Sequence, residues 1–527
     1  MDEHDIKAQL ESLDLSDSKS IEDYARNLVG ASFQDILDLG ISPEGIEAKD
    51  YSDKNYKGGY GTLIEERFFG YKANSDSGPD FAEAGVELKS TCFDRREATR
   101  NKPERIVAGE RLVLGMIPHD SEIPEDLFSS HVWNKCKLML LVYYYRDKTV
   151  EPLQRRIRYV RLFEIPEEDL PIIEEDYRTI AKLIREGRAD ELSEGMTAYL
   201  GACTKGRTAA TMQAKQFYPY IREDGREEYR TAKRRAFSLK QSYMDYILHH
   251  YMADDHSPLD FDFSSRPETV EVDSSPHGRK ADGKAPTFEE SVINALDRYV
   301  GMDATELMRA FNVKNATGGE AKSRYASLAC HMLGYTSNKA LALEKAGISV
   351  RAIRARANWS VKESLSLDTF EFSGLLDEPS WEESKLFEYL DSTKFLFLVF
   401  HGEPGAMRFA GACFWHMSAQ ELQQDVRRCW EDTKHTILNG VEWSEKRRRN
   451  GSAIHNNLPG KSDNPICHVR PHANRRGYIY ADGRQIGEKK DMSELPDGRW
   501  MTRQSFWINN DYLAKVIEPV RTSYEAR

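Results

Sequence analysis

The chain has 527 residues, with 74 Lys and Arg against 86 Asp and Glu, a formal net charge of −12. Its 40% hydrophobic and 30% charged residues can build cores, and the length suits two or more domains. No membrane span or secretory signal is expected, because the longest apolar-aromatic run is only Leu138 to Tyr145 and the start, MDEHDIKAQLESLDLSD, is acidic. Seven scattered cysteines, odd in number and without a C-x-x-C, argue against a disulfide framework or zinc finger and fit a reducing cytoplasm.

Along the chain, residues 1–50 hold 13 acids and 4 bases. A helix is expected over 62–70 (TLIEERFFG), from apolar residues spaced by three and four. VELKSTCF and KLMLLVYYY read as strands, rich in apolar and aromatic residues and too short for helices. Residues 166–187 read as a long amphipathic helix, and 233–248 as a basic-aromatic segment. From Ala253 to Pro286 the chain is rich in Pro, Ser, Asp and Gly, the composition of a linker. Residues 251–300 carry 11 acids and 5 bases, so the surplus acid sits here and at the start, and the average charge says little about local surfaces.

The segments after the linker repeat those before it, in order. YARNLVGASFQDIL (24–37) pairs with LDRYVGMDATELM (296–308), TLIEERFFG with ASLACHMLG (326–334), and EAGVELK with KAGISVR (345–351). KLMLLVY (137–143) pairs with KFLFLVF (394–400), the helix 166–187 with 418–440, and 233–248 with 499–517. Six matches in one order predict a duplicated α/β domain, each copy a mixed central sheet flanked by helices. The expected division is 1–252, a linker at 253–287, and 288–527.

The chemistry concentrates in residues 59–90. In a strand, alternate side chains share a face, so Glu87 and Lys89 point one way while Val86 and Leu88 enter the core. Asp80 lies just upstream, where a turn or short strand can bring its carboxylate beside Glu87. Two converging carboxylates suit Mg²⁺, which takes oxygen ligands, lowers the pKa of a bound water and neutralises charge on a phosphate. A lysine on the same face can orient the attacking water. Glu65, on the preceding helix, could complete the acidic cluster. By itself an E-x-K pair on a strand is commonly a solvated face.

These residues resemble the MutH family of GATC-specific DNA endonucleases, within the PD-(D/E)-x-K superfamily. The matching features are Lys57-Gly58, Gly61-x-x-x-Glu65, Asp80-Phe81, Gly85 to Lys89, and Ser130-His131-Val132 followed by Lys135 and Lys137. The likeness continues through Tyr199–Lys205 and Ala236–Lys240 and covers most of residues 20–250. The two-half layout looks like the larger type II restriction endonucleases of this family, in which a degenerate C-terminal copy helps bind DNA. The resemblance implies Asp80 and Glu87 as principal Mg²⁺ ligands with Glu65 assisting, Lys89 as the catalytic lysine, and Lys135 as a further lysine near the scissile phosphate. It also implies cleavage of double-stranded DNA before the G of 5′-GATC-3′, leaving 5′-phosphate overhangs, and a cognate methyltransferase acting on the same site. The alternative within the family is a mismatch-repair nickase activated by a partner protein.

In the second half, Glu65 falls opposite Ala329, Asp80 opposite Ala342, Glu87 opposite Ser349, Lys89 opposite Arg351 and Lys135 opposite Ser392. Every catalytic carboxylate is gone, so this half is expected to bind or regulate and not to cut. One active site per chain implies transient homodimerisation on DNA, or two sequential nicks. For DNA contact the candidates are Lys57, Lys205 and Arg207 in the first half and Arg470, His472, Arg475 and Arg476 in the second. Lys205 matches a base-contacting lysine of the nickase, while Cys203 and Ser238 replace its arginine and tyrosine. Glu445 to Arg449 reads either as a phosphate clamp or as a solvated loop.

Overall fold

A computed structural model describes residues 3–43, 51, 59–73, 78–98, 104–205, 213–252, 286–313, 322–333, 341–448, 451–473 and 475–527. Most of the expected linker, together with Lys57 and Arg207, lies outside these residues. The chain divides into two compact units. The first holds the described residues up to 252 except 193–196, together with 341–347, and the second holds the rest.

In the first unit, three short helices, α1 (Glu3–Glu11), α2 (Ser18–Ala25) and α3 (Phe33–Asp38), precede α4 (Gly59–Arg67). Asp17 caps α2 by accepting from the Lys19 and Ser20 N–H groups, and Ser32 with Asp35 forms a capping box on α3. The helix α4 begins three residues before the sequence expectation. It buries Leu63 and Ile64, and the chain turns away at Gly70 with φ +71°.

The strands and helices that follow are β1 (Glu87–Arg96), β2 (Arg105–Ala108), β3 (Leu112–Met116), α5 (His131–Cys136), β4 (Leu138–Tyr145), β5 (Ile157–Glu164), α6 (Leu170–Arg185), β6 (Leu200–Thr204), β7 (Arg235–Leu239) and α7 (Gln241–Ile247). They form one mixed sheet in the order β2-β1-β4-β5 and a second in the order β3-β7-β6. The strand β4 is buried on both faces from Met139 to Tyr144, which explains its unbroken apolar run. It pairs in parallel with β1, so the intervening chain must cross over, and its described residues include β2, β3 and α5. A core of Leu63, Ile64, Phe68, Val86, Leu88, Leu140 and Val142 joins α4 to this sheet.

The second unit contains α8 (Phe288–Asp297), α9 (Ala304–Ala310), α10 (Lys322–Met332), β8 (Ser349–Ala355), β9 (Leu365–Phe370), α11 (Lys385–Ser392), β10 (Phe395–His401), β11 (Arg408–Trp415), α12 (Arg427–Asn439), β12 (Trp443–Arg448), β13 (Gly451–Asn456), β14 (Cys467–Pro471) and β15 (Gln504–Ile508). Its sheets run β8-β10-β11 and β9-β15-β14, and a smaller four-stranded sheet lies within 478–502. Glu445 to Arg448 lie in a strand paired with β13, so this stretch is part of a β-hairpin and not a loop.

The same pairings recur in both units. The strand β1 pairs in parallel with β4 from Glu87↔Met139, and β8 with β10 from Ser349↔Phe395. Each central strand then pairs antiparallel with the next one across a bulge, between Tyr143 and Tyr144 in one and Val399 and Phe400 in the other. Gly30 (φ +87°) donates its N–H to Ile157 O at 2.9 Å, and Gly301 (φ +85°) to Phe409 O at 2.8 Å. Arg156 and Arg408 each donate to the carbonyl of that glycine at 2.7 Å. These anchors set Leu138 opposite Lys394, one residue from the sequence match of the two strands, while Glu87 stays opposite Ser349. Tyr60 meets Tyr144 edge-on at 5.1 Å as Tyr325 meets Phe400 at 5.0 Å, which carries Glu65 to Cys330 and not to Ala329.

Among the described residues no helix is long and apolar enough to cross a membrane. Among the described residues no cysteine is in a disulfide.

Candidate active site

The site forms where α4, β1 and the end of α5 meet. Phe81 and Val86 exchange backbone hydrogen bonds of 2.9 and 3.2 Å, closing a tight loop ahead of β1. Gly85 turns that loop with φ +67°, a conformation glycine adopts without the Cβ strain of other residues. The loop sets Asp80 against the start of the strand, where its Oδ2 accepts the Leu88 N–H at 2.9 Å.

Glu87, the first residue of β1, has a side chain only 1% exposed, so the solvated-face reading of the E-x-K pair does not hold. Its Oε1 accepts from Lys89 Nζ at 2.5 Å and from Lys135 Nζ at 3.2 Å. The lysine side chains are 20% and 17% exposed, so both are largely buried beside the carboxylate. Lys135 lies in the last turn of α5, whose first turn is fixed by Ser130 accepting the Trp133 N–H. Glu87 Oε2 is buried and has no hydrogen-bond partner among the described residues.

Glu65 faces this group from α4. Burial and then the Asp80 charge push its carboxyl up to about 7. Burial, followed by the Glu87 charge, likewise raises Asp80 above the ordinary carboxylate range. The structure therefore brings together all five residues expected from the sequence, Glu65, Asp80, Glu87, Lys89 and Lys135.

The site also includes a residue that sequence reasoning missed. Tyr71 has a buried hydroxyl without a partner among the described residues, and burial, Asp80, Glu65 and Glu87 in that order raise its pKa. An aromatic just past a helix reads as core, and nothing in the sequence separates Tyr71 from that role.

Among the described residues no three His, Cys, Asp or Glu groups stand close enough to hold a metal ion unaided. The donor set nevertheless fits Mg²⁺. Two hard oxygen ligands come from Asp80 and Glu87, the buried Oε2 offers a lone pair, and burial, followed by neighbouring carboxylate charge, raises both Glu65 and Asp80. Mg²⁺ commonly takes one or two carboxylates and fills its remaining positions with water and phosphate oxygens. Glu65 would act beside the ion more than as a third direct ligand.

The DNA-contact candidates divide. Lys205 follows β6, and its N–H donates to Arg234 O at 2.8 Å. That strand is held by the buried Asp176 carboxylate, which accepts the N–H groups of Ala198, Tyr199 and Leu200 at 2.7, 2.6 and 2.9 Å. Cys203 and Ser238 are buried and are not presented to a ligand. In the second unit Arg470, His472, Arg475 and Arg476 are all exposed. Arg470 lies over the Trp507 ring at 5.1 Å, and the His472 ring lies 5.3 Å from it on the same surface.

A model of the family described as DNA mismatch repair enzyme MutH matches residues 69–176. A Staphylococcus aureus protein named type II restriction enzyme Sau3AI is 33% identical over 476 residues, covering 86% of this chain and 91% of its own length. The chain belongs to the MutH-like family of type II restriction enzymes. In this MutH-like restriction enzyme the family match takes in Asp80, Glu87, Lys89 and Lys135 and begins just after Glu65. The similarity to Sau3AI extends through most of both halves.

Proposed function

We infer that this protein is a Mg²⁺-dependent type II restriction endonuclease that hydrolyses double-stranded DNA at 5′-GATC-3′, before the G, leaving 5′-phosphate overhangs. The observation that carries the reading is Glu87, a buried carboxylate meeting Lys89 and Lys135 at one oxygen beside Asp80. Asp80 and Glu87 would hold Mg²⁺, which supplies neutralisation of phosphate charge and a bound water of lowered pKa. Lys89 orients the attacking water and Lys135 neutralises a non-bridging phosphate oxygen. Glu65, raised to about 7 by burial and then the Asp80 charge in the metal-free protein, stands beside that region.

In this reading 1–252 cuts, 253–287 links, and 288–527 is a degenerate copy that contacts DNA. The recurrent strand pairings, with Ser349 in the place of Glu87, support that division. Lys57, Lys205 and Arg207, and Arg470, His472, Arg475 and Arg476, contact DNA. One site per chain implies a transient homodimer on the DNA, and a methyltransferase of the same specificity protects the host sequence. A partner-activated mismatch-repair nickase is disfavoured, because the relative matched across both halves carries the name of a restriction enzyme.

The test is digestion of matched adenine-methylated, cytosine-methylated and unmethylated DNA with Mg²⁺ or EDTA, comparing wild type with Asp80→Ala. Discrete fragments ending at GATC, lost in EDTA and in the variant, are expected. Cleavage retained by Asp80→Ala sinks the metal site, and fragments ending elsewhere sink the specificity.

A further inference from the structure

The register that sets Ser349 opposite Glu87 sets Arg351 opposite Lys89. Gly85 and Gly347, two residues before each strand, both have positive φ, +67° and +63°. The position of Asp80 is taken by Ala342, and that of Glu65 by Cys330. The second half thus keeps the scaffold around this point and loses every acid that would hold a cation. What remains is a cation without its counter-charge.

Arg351 is half-buried on β8. Its Nη1 donates to Val350 O at 3.0 Å, and it makes no ion pair among the described residues. Lys89, by contrast, is neutralised by Glu87. A guanidinium carries five N–H donors in a planar fork, and a partly desolvated one without a carboxylate leaves its charge and most of those donors unused. Beside it lies a pocket of about 60 Å³ whose lining is largely apolar, with Arg351, Arg354, Glu363 and Ser364 as its polar residues. By the volume a single water needs, that space holds roughly four to six waters, or one tetrahedral anion. The neighbouring Arg354 is paired with Glu363 at 2.6 Å, so the unbalanced charge of this lining is that of Arg351.

We propose that the second half's counterpart of the acid site is an anion site, in which Arg351 holds one backbone phosphate of duplex DNA without cutting it. A phosphodiester is the group that the equivalent position receives in the first half. This inference therefore rests on the DNA-cutting reading above. Arg351 does there, through paired N–H···O contacts, what a cation and Lys89 do jointly in the first half, and with no acid to hold a metal no hydrolysis follows.

The test is a salt titration of duplex affinity with the full chain in EDTA, comparing wild type, Arg351→Gln and Arg351→Lys. Loss of one phosphate contact should reduce the magnitude of the slope of log affinity against log salt by about one in Arg351→Gln, and Arg351→Lys should recover it. A slope in Arg351→Gln equal to wild type overturns the proposal, provided its thermal melting matches wild type. If Arg351→Gln does not fold, Arg351→Met, which also removes the charge, takes its place, and a wild-type slope in folded Arg351→Met overturns the assignment. Wild-type cleavage with Mg²⁺ is run in parallel. If it is absent, the DNA-cutting reading has failed, whereas cleavage with an unchanged slope removes only the role of Arg351.

Discussion

Lys135 reaches Glu87 across 48 positions of sequence and shares its Oε1 with Lys89. Both ammonium groups thus converge on one carboxylate oxygen, one from a helix end and one from the same strand. Replacing Lys89 by Ala removes the donor proposed to orient the attacking water, and single-turnover cleavage should fall by roughly 10²–10³-fold. Lys135→Ala should cost about as much. Because the two act on one oxygen, the double variant should lose less than the product of the single losses. Single-turnover rates at saturating DNA check this, and multiplicative losses would show that the lysines act independently.

The acid cluster gives a pH signature to the metal-free protein. Glu65 has its folded pKa raised to about 7, above the ordinary carboxylate value, so the folded state binds this proton more tightly than the unfolded one. Its contribution therefore favours folding at low pH and is lost as pH rises from the unfolded value through about 7. In EDTA the melting temperature should fall between pH 5 and pH 8 (test conditions of about these values), and Glu65→Gln should flatten that decline. An equally steep decline in Glu65→Gln would move the origin of the effect elsewhere.

The strand carrying Glu87 and Lys89 is legible in the sequence because Val86 and Leu88 alternate with them, and β4 because both its faces are buried. Helix ends are less so: α4 begins at Gly59, and 166–169 is a turn ahead of α6, with Pro171 in the first helical turn. The meeting of Lys135 with Glu87 depends on the parallel pairing of β1 and β4, a long-range contact that no local pattern encodes. Tyr71 is silent for the same reason. The one-residue slip between 137–143 and 394–400 arose because both runs are uniformly apolar, so composition could not fix their register.

Asp176 links the core to the strand leading to Lys205. Its carboxylate accepts three successive backbone N–H groups, and the side chain is buried. Asp176→Ala would strand those donors in the interior, each at about 1–3 kcal/mol. The variant should lose several kcal/mol of stability, far more than a surface change. Urea denaturation checks this. A loss below about 1 kcal/mol would mean that water enters to replace the carboxylate.

Removing the metal and removing a carboxylate should act in opposite senses on stability. Without a cation, Asp80 is held near Glu87 and Glu65 with its own carboxyl raised by burial and by the Glu87 charge. Asp80→Asn removes one charge from that cluster, and its side-chain oxygen can still accept the Leu88 N–H. In EDTA at neutral pH the variant should therefore melt at least as high as wild type. Wild type should gain melting temperature as Mg²⁺ is added, since a ligand that binds only the folded state stabilises it with the logarithm of its concentration over Kd. Asp80→Asn should gain little. Thermal melting across a Mg²⁺ series reads both effects in one experiment. A variant that gains as much as wild type would show that the ion is bound without Asp80, and a variant that melts well below wild type in EDTA would show that the Asp80 charge stabilises the loop instead of straining it.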